Sequence, residues 1–400
     1  MTPTRVLLVT RRFWPLTGGA ESLTATLGAE LHRQHLEPTI VTARWQSDWP
    51  AALIHRGVPV VRLGNPGLSA WGTLRYGLSL ARWLRSRAGS FDLLYVSMLR
   101  HDAYTTLSMR GYGGWPIVLR AEGIGEHGDC AWQAQANFGH RIAKTCRTAD
   151  AIVAPSPIVR DELLAAGYPA EKLHVIHNGV AIPAASAPAA ARLAARAALA
   201  AANADLKLSE GAKLAVYVGR LHASKGLSTL LAAWRALARQ HRELRLWLVG
   251  EGPLEGELDD EIKAAGLTGR VVLAGAFDAV DEILQAADLF VLPSREEGLS
   301  LALLEALAAG LPVVASDIPG NRLVIEDGQE GLLFPPGAAG VLASAIEVLL
   351  SEPNRAAALA AAGRARVSRE FSLGKMVAEH LALFHSLTGT GPSCPSDASP

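Results

Sequence analysis

Short apolar runs alternate with helix-like stretches from one end of the chain to the other. In the first half the runs are RVLLVT (5–10), EPTIVT (37–42), DLLYVS (92–97), PIVLR (116–120), AIVAPS (151–156) and KLHVIH (172–177). In the second half they are LAVYVG (214–219), LRLWLVG (244–250), RVVLAG (270–275), LFVLPS (289–294), LPVVAS (311–316) and GLLFPP (331–336). Most of these are continuously apolar, the mark of strands buried on both faces of a parallel sheet between helices. Two such series predict two doubly wound, Rossmann-like α/β domains, at 1–183 and 213–370. Between them, 184–212 reads as an Ala-rich connector that turns helical, and 371–387 reads as an amphipathic helix after the last strand. The Gly/Ser/Pro-rich end, 387–400, is expected to be disordered.

The length of 400 residues fits two cores better than one. The chain has no uncharged apolar run of membrane-spanning length, and it opens directly on a strand pattern without a secretory leader's apolar region. A cytoplasmic location is therefore expected. Three cysteines (Cys130, Cys146, Cys394) without a CxxC pair agree with a reducing compartment. Net charge is zero but uneven. Residues 1–183 hold 19 Lys+Arg against 13 Asp+Glu, leaving 19 against 25 in residues 184–400. This argues against nucleic acid as a partner and leaves room for an anionic partner of the first half.

In open parallel sheets ligands bind beyond the carboxyl ends of the strands, so chemistry-bearing residues should follow strands directly. Three stretches do. In EEGLSLALLEALAAGLPVVAS (296–316), Glu297 precedes an apolar helix read as opening at Leu299, and Glu305 is the lone charge within it. A carboxylate in such surroundings needs hydrogen-bond donors. The adjacent hydroxyls of a ribose supply two, and a helix N-terminus suits a phosphate or a sugar joined to one. In VYVGRLHASKG (216–226), Arg220 and Lys225 follow a strand and fit a diphosphate clamp. In RRFWPLTGGAES (11–22), Gly18 and Gly19 open a helix where a ligand can approach backbone closely. That stretch is not GxGxxG, and no acid closes a second strand, which counts against an NAD-dependent dehydrogenase.

Taken together, GGAE near the start, IHNGV (176–180), GRLHASKG (219–226), GEGP (250–253), the 296–316 stretch and DGQEGLLFPPG (327–337) resemble glycosyltransferase family 4. The resemblance runs in order over nearly the whole chain. It implies the GT-B architecture, two Rossmann-like domains facing across a cleft. It also implies sugar transfer from a UDP- or GDP-linked donor with retention of configuration, in glycan or polysaccharide biosynthesis, with no metal or other cofactor. Carried over by position, Arg220 and Lys225 neutralise the diphosphate, Glu305 takes the ribose and Glu297 contacts the sugar. The amides of Gly298 and Leu299 help to hold that sugar, Gly18 and Gly19 lie against the phosphates, and backbone near Gly275–Phe277 meets the base. The C-terminal helix, 372–386, is implied to cross back to the first domain.

One departure stands out. Where many members place a histidine before glycine, VLRAEGIGEHGD (118–129) has Glu122-Gly123, so either Glu122 takes that role or the donor is presented differently. His101 and His127 are nearby alternatives. Asp129 beside Cys130, and the pairs His32/His35 and His174/His177, read as structural. The basic stretch TLRYGLSLARWLRSR (73–87) reads as a packing helix with a solvated arginine face, with peripheral association to an anionic membrane as its second reading. The departure also motivates an alternative in function, a non-catalytic nucleotide-sugar-binding subunit; an epimerase or phosphorylase of the same fold is a third reading. The acceptor, whether glycan, lipid-linked or small molecule, is not encoded in any motif.

Overall fold

The computed structural model describes residues 4–16, 18–67, 70–184 and 189–389. The chain divides into two compact units, Met1–His177 with Gly374–Pro400, and Asn178–Leu373.

In the first unit the strands are β1 (Arg5–Val9), β2 (Glu37–Ala43), β3 (Ala52–His55), β4 (Val58–Leu63), β5 (Leu93–Ser97), β6 (Ile117–Arg120), β7 (Ala151–Ala154) and β8 (Leu173–Val175). They form one sheet in the order β3-β4-β2-β1-β5-β6-β7-β8. Pairing is parallel except between β3 and β4. The six runs read from the sequence are all strands here, and the hairpin of β3 and β4 is an addition. β3 alternates between exposed and half-buried positions, with Ile54 largely exposed, and β4 alternates between buried and open ones, so neither is a strand buried on both faces. The two-residue turn places Arg56 and Gly57 at φ 49° and 83°, as a right-twisting tight hairpin requires.

The second unit's strands are β9 (Lys213–Val218), β10 (Leu244–Val249), β11 (Val271–Gly275), β12 (Leu289–Leu292), β13 (Val313–Ser316) and β14 (Leu332–Phe334). They form a wholly parallel sheet in the order β11-β10-β9-β12-β13-β14. Trp234 and Trp247 are fully buried in its core. At the usual value per unit of apolar area, each stabilises that core by roughly 4–6 kcal/mol before entropy losses.

The stretch read as a connector differs from expectation. Ala189–Ala202 is a helix of the second unit, with Ala195 and Leu199 buried in that core. Arg192 and Arg196 fix it by pairing with Asp288, just before β12, at 3.0 and 2.7 Å. The last helix, Leu373–Thr388, packs on the first unit. Its buried His380 has Nδ1 at 2.8 Å from the Met376 carbonyl and Nε2 at 3.0 Å from the Tyr95 hydroxyl. A carbonyl only accepts, so Nδ1 carries the proton and Tyr95 donates to Nε2. Burial lowers the His380 pKa to about 4, which keeps the ring neutral. Residues 390–400 of the expected disordered tail lie outside the described residues.

Candidate active site

The densest unmet chemistry lies at the carboxyl edge of the second sheet. After β9 the chain passes Gly219 and Arg220, makes a short turn at Ala223–Lys225 and enters the helix Leu227–Gln240 through Gly226. Gly226 is left-handed, at φ 65°, and a Cβ there would lie 2.0 Å from the Pro293 carbonyl oxygen. Only glycine lets this loop press against the end of the neighbouring strand β12. The Arg295 N–H donates to the Ser224 carbonyl at 2.8 Å and ties the two loops further.

That contact brings Lys225 to Glu297, Nζ to Oε1 at 2.7 Å. Ser294, at the end of β12, donates to the same oxygen at 2.7 Å. Beneath it, Ser316 donates to the Ser294 carbonyl, and Asn321 donates to the Ser316 carbonyl at 2.8 Å. All three of these polar residues are buried, so Glu297 rests on a fixed support. Its Oε2 has no donor among the described residues. Gly320, after β13, also closes on this loop: a Cβ there would meet the Glu297 carbonyl oxygen at 2.0 Å.

Arg220 differs from Lys225. Its side chain is exposed and makes no ion pair among the described residues, while the Tyr217 hydroxyl holds its carbonyl at 2.9 Å. The helix after β12 is shorter than read from sequence. It runs Leu301–Ala308 with Ser300 as its cap, accepting from the Leu303 N–H. Glu297 therefore stands in the loop before the helix and not in its first turn, because the Ser300 hydroxyl takes the capping role. The loop's Gly298 and Leu299 are buried, yet their N–H groups find no acceptor among the described residues. Unpaired buried N–H groups are costly in a folded chain and ask for an acceptor. Asn178 meanwhile donates to the Leu299 carbonyl at 3.0 Å and fixes the loop.

Glu305 follows on the helix, half-buried among leucines, with no donor among the described residues. Burial, helped by Asp281 of the helix Asp281–Ala286, raises its carboxyl to about 7. Phe277, beyond β11, is half-buried against the core. The structure thus joins Lys225 to Glu297 directly and sets Arg220, Gly298, Leu299 and Glu305 on the loops and helix beyond the adjacent strands β9 and β12.

The first sheet's carboxyl edge is arranged differently. Gly18 and Gly19, exposed after β1, begin the helix Gly19–Arg33, which has no side-chain cap. Glu122, after β6, is paired with the buried Arg120 at 2.7 Å. Burial raises the Glu122 carboxyl pKa, and Arg120 opposes this, while the guanidinium itself is held charged by Glu122 and Tyr95. Asp129 is buried and accepts from the N–H groups of Leu99 at 3.1 Å and Glu122 at 2.9 Å and from Arg100 at 2.8 Å. It fixes the loops after β5 and β6. His101 packs edge-on to Trp132, and burial lowers its pKa. The carbonyl of His127 accepts from Arg100. Burial pushes the Cys130 thiol up to about 12, so it is no nucleophile. Among the described residues there is no group of three or more His, Cys, Asp or Glu placed to hold a metal ion.

Sequence reasoning missed Ser294, Tyr217, Arg120 and Asn178. Each acts by supporting another group, and nothing in its local pattern separates it from an ordinary strand or loop residue.

Comparison with known proteins agrees with this layout. The profile described as Glycosyltransferase Family 4 matches residues 17–182, and that described as Glycosyl transferases group 1 matches residues 201–366. The alpha-maltose-1-phosphate synthase of Mycolicibacterium smegmatis is 30% identical over 284 residues, 64% of this chain and 70% of that protein. The chain belongs to glycosyltransferase family 4. It is also 35% identical to the alpha-D-kanosaminyltransferase of Streptomyces kanamyceticus, over 35% of this chain and 37% of that protein. The structure of Anabaena HepE in complex with UDP-glucose matches with a TM-score of 0.76 at 21% identity, covering 95% of this chain and 99% of that one. Sucrose-phosphate synthase from Thermosynechococcus elongatus matches with a TM-score of 0.78 at 21% identity, covering 97% and 100%. The glycosyltransferase therefore has the GT-B fold, with two Rossmann-like parallel-sheet domains.

Proposed function

We propose that this glycosyltransferase takes a sugar from a UDP- or GDP-linked donor and passes it, with retention of configuration, to a hydroxyl of a glycan, lipid-linked or small-molecule acceptor. The reaction would serve cell-surface glycan or polysaccharide synthesis from the cytoplasm. The observation that carries the reading is Glu305, a carboxylate half-buried in an apolar helix with no donor among the described residues. It stands on the same sheet edge as an unpaired arginine and the acceptor-free N–H groups of Gly298 and Leu299. A ribose, a diphosphate and a sugar answer those three deficits in turn. The UDP-glucose named in the HepE structure is a ligand of this chemistry.

In this mechanism the leaving diphosphate gains charge as the glycosidic bond breaks. Arg220 and Lys225 stabilise it, and the acceptor hydroxyl attacks from the face the diphosphate leaves, passing its proton to the departing phosphate oxygen. Glu297 orients Lys225 with one oxygen and offers the other to a sugar hydroxyl. The N–H groups of Gly298 and Leu299 bind the sugar's oxygens. Backbone near Phe277 meets the base, and no metal or other cofactor takes part. On the first unit, Gly18, Gly19 and Glu122 are assigned to substrate contacts, with Glu122 in the histidine's position.

The experiment is a thermal-shift screen of the full chain against UDP, GDP, ADP and CDP, followed by product analysis with the sugar conjugate of the stabilising nucleotide. One nucleoside diphosphate should raise the melting temperature, because a ligand that prefers the native state stabilises it. Its sugar conjugate should then be slowly hydrolysed with retained configuration, and an Arg220→Ala control should be inactive. No shift with any of the four rejects the reading. Glu122 in the histidine's place favours one second reading, a nucleotide-sugar-binding subunit without turnover; a shift without hydrolysis or transfer would select it.

A further inference from the structure

Within the first unit, the helix Ala70–Arg85 turns an unusual face outward. Tyr76, Leu80 and Leu84 point inward and are fully buried. On the opposite side Trp71 is 80% exposed, Leu74 53% and Leu78 58%. Arg75, Arg82 and Arg85 are exposed as well. At ~100° per residue these six side chains fall within one stripe about 100° wide, with the apolar groups over the first turns and the cations spread from the second turn to the last. No acidic residue occurs anywhere in 70–87. The cations are not absorbed by carboxylates either: Arg75 donates to the Asn65 carbonyl at 2.9 Å, and Arg85 lies over the Tyr112 ring at 4.9 Å. Tyr112, half-exposed, extends the patch beyond the helix end.

A large exposed indole and two leucines in one stripe need a cover, since scattered apolar side chains are ordinary on a surface but a contiguous patch is not. Arginines interleaved with them, free of acids, choose an anionic cover. We propose that this helix docks the glycosyltransferase onto an anionic lipid bilayer, lying in the interface with Trp71, Leu74 and Leu78 among the acyl chains and the arginines at the headgroups. Among the described residues no helix is long and apolar enough to cross a membrane, so the attachment is peripheral and reversible. A bilayer fits better than an acidic protein because the apolar and basic groups share one stripe, as the boundary between acyl chains and headgroups demands. The inference stands apart from the donor assignment, none of whose residues lies on this helix.

The test is co-sedimentation of the full chain with vesicles of phosphatidylcholine alone or with a third of it replaced by phosphatidylglycerol. Binding should appear with the anionic vesicles, be weak with the neutral ones and fall as salt rises. Arg75→Gln/Arg82→Gln/Arg85→Gln should lower the partition at least about tenfold, at about one unit of binding energy per cation. Trp71→Ser/Leu74→Ser/Leu78→Ser should lower it comparably while leaving the salt dependence unchanged. Both variants should keep the melting temperature and its nucleotide-induced rise, since every altered side chain points to solvent. Equal binding to both vesicle types, none to either, or a concentration-dependent dimer that the serine variant abolishes would each overturn the proposal.

Discussion

The two sheet edges of this glycosyltransferase treat their charges in opposite ways. At the first, three carboxylates are each held by an arginine. Arg11 holds Asp102 at 2.5 Å, Arg100 holds Asp129 at 2.8 Å and Arg120 holds Glu122 at 2.7 Å. Each pair ties the loop after one strand to the start of a neighbouring helix or to its own strand end. At the second edge Lys225 and Glu297 pair as well, but among the described residues Glu305 has no donor, the Arg220 side chain has no acid, and the N–H groups of Gly298 and Leu299 have no acceptor. Paired charges fix shape, whereas a charge left without a partner is completed by something bound. The contrast supports the proposal that the donor binds on the second unit, and it predicts which substitutions damage the fold and which damage turnover.

The largest effect should come from the closed edge. Arg120→Met leaves the Glu122 carboxylate without its partner, and breaking a buried pair from one side costs about 3–5 kcal/mol. The melting temperature should fall accordingly, and Arg120→Met/Glu122→Leu should recover much of the loss. If Arg120→Met melts like the parent, this edge is not held by its pairs and the comparison fails.

Next are the cations of the open edge. Lys225→Ala and Arg220→Ala should each lower turnover by about 10²–10³, the usual effect of removing one group that stabilises developing charge. Arg220 is exposed and unpaired, so its loss should change stability by less than about 0.5 kcal/mol. A pair of assays, turnover and melting temperature, separates this from the Arg120 outcome. Unchanged turnover in Lys225→Ala with a cognate donor would remove it from the mechanism.

Much of this was legible because buried parallel strands leave continuous Val, Ile and Leu runs, and all twelve sequence-read runs contain strands. The hairpin of β3 and β4 was not, since β3 lies at the sheet edge with open positions and β4 carries Arg62, buried where it donates to the Pro50 and Trp14 carbonyls. At the site, Glu305 betrayed itself as one charge in an apolar helix, and Arg220 and Lys225 by following a strand. The helix start was misplaced although Ser300 carries a visible capping signal before LALLEALA. The apolar Leu299 set the expected start two residues before the observed one, Leu301. The Arg120–Glu122 pair could not be read, because its meaning lies in the burial of an arginine at the end of β6, and burial of a single cation leaves no periodic trace. The Ala-rich segment was mistaken for a linker for a related reason: its packing depends on Arg192 and Arg196 reaching Asp288, 96 and 92 positions away.

The smallest effect is the most specific. Burial, with Asp281 adding to it, lifts the Glu305 carboxyl from its usual 4.5 to about 7 in the unliganded protein. Between those values the folded chain binds a proton that the unfolded chain has released. Glu305 therefore favours the fold below pH ~4.5 and penalises it progressively as pH rises through about 7, by an amount on the order of 3 kcal/mol. Glu305→Gln should accordingly melt above the parent at pH 8 and with it near pH 4.5. Nucleotide binding should run the other way. Ribose hydroxyls donate to the ionised carboxylate, so below pH 7 binding must first expel a proton, and affinity should weaken by up to about tenfold per pH unit. Glu305→Gln should bind about tenfold more weakly at pH 8, and the ratio between parent and variant should shrink toward acid, which cancels the titration of the nucleotide's own phosphates. A 2′-deoxynucleotide should lose most of that advantage in the parent and little in the variant. A carboxylate that destabilises its own helix at neutral pH yet tightens binding there is held for a ligand. A parent-to-variant ratio flat from pH 5 to pH 8 would show instead that Glu305 never meets the ribose.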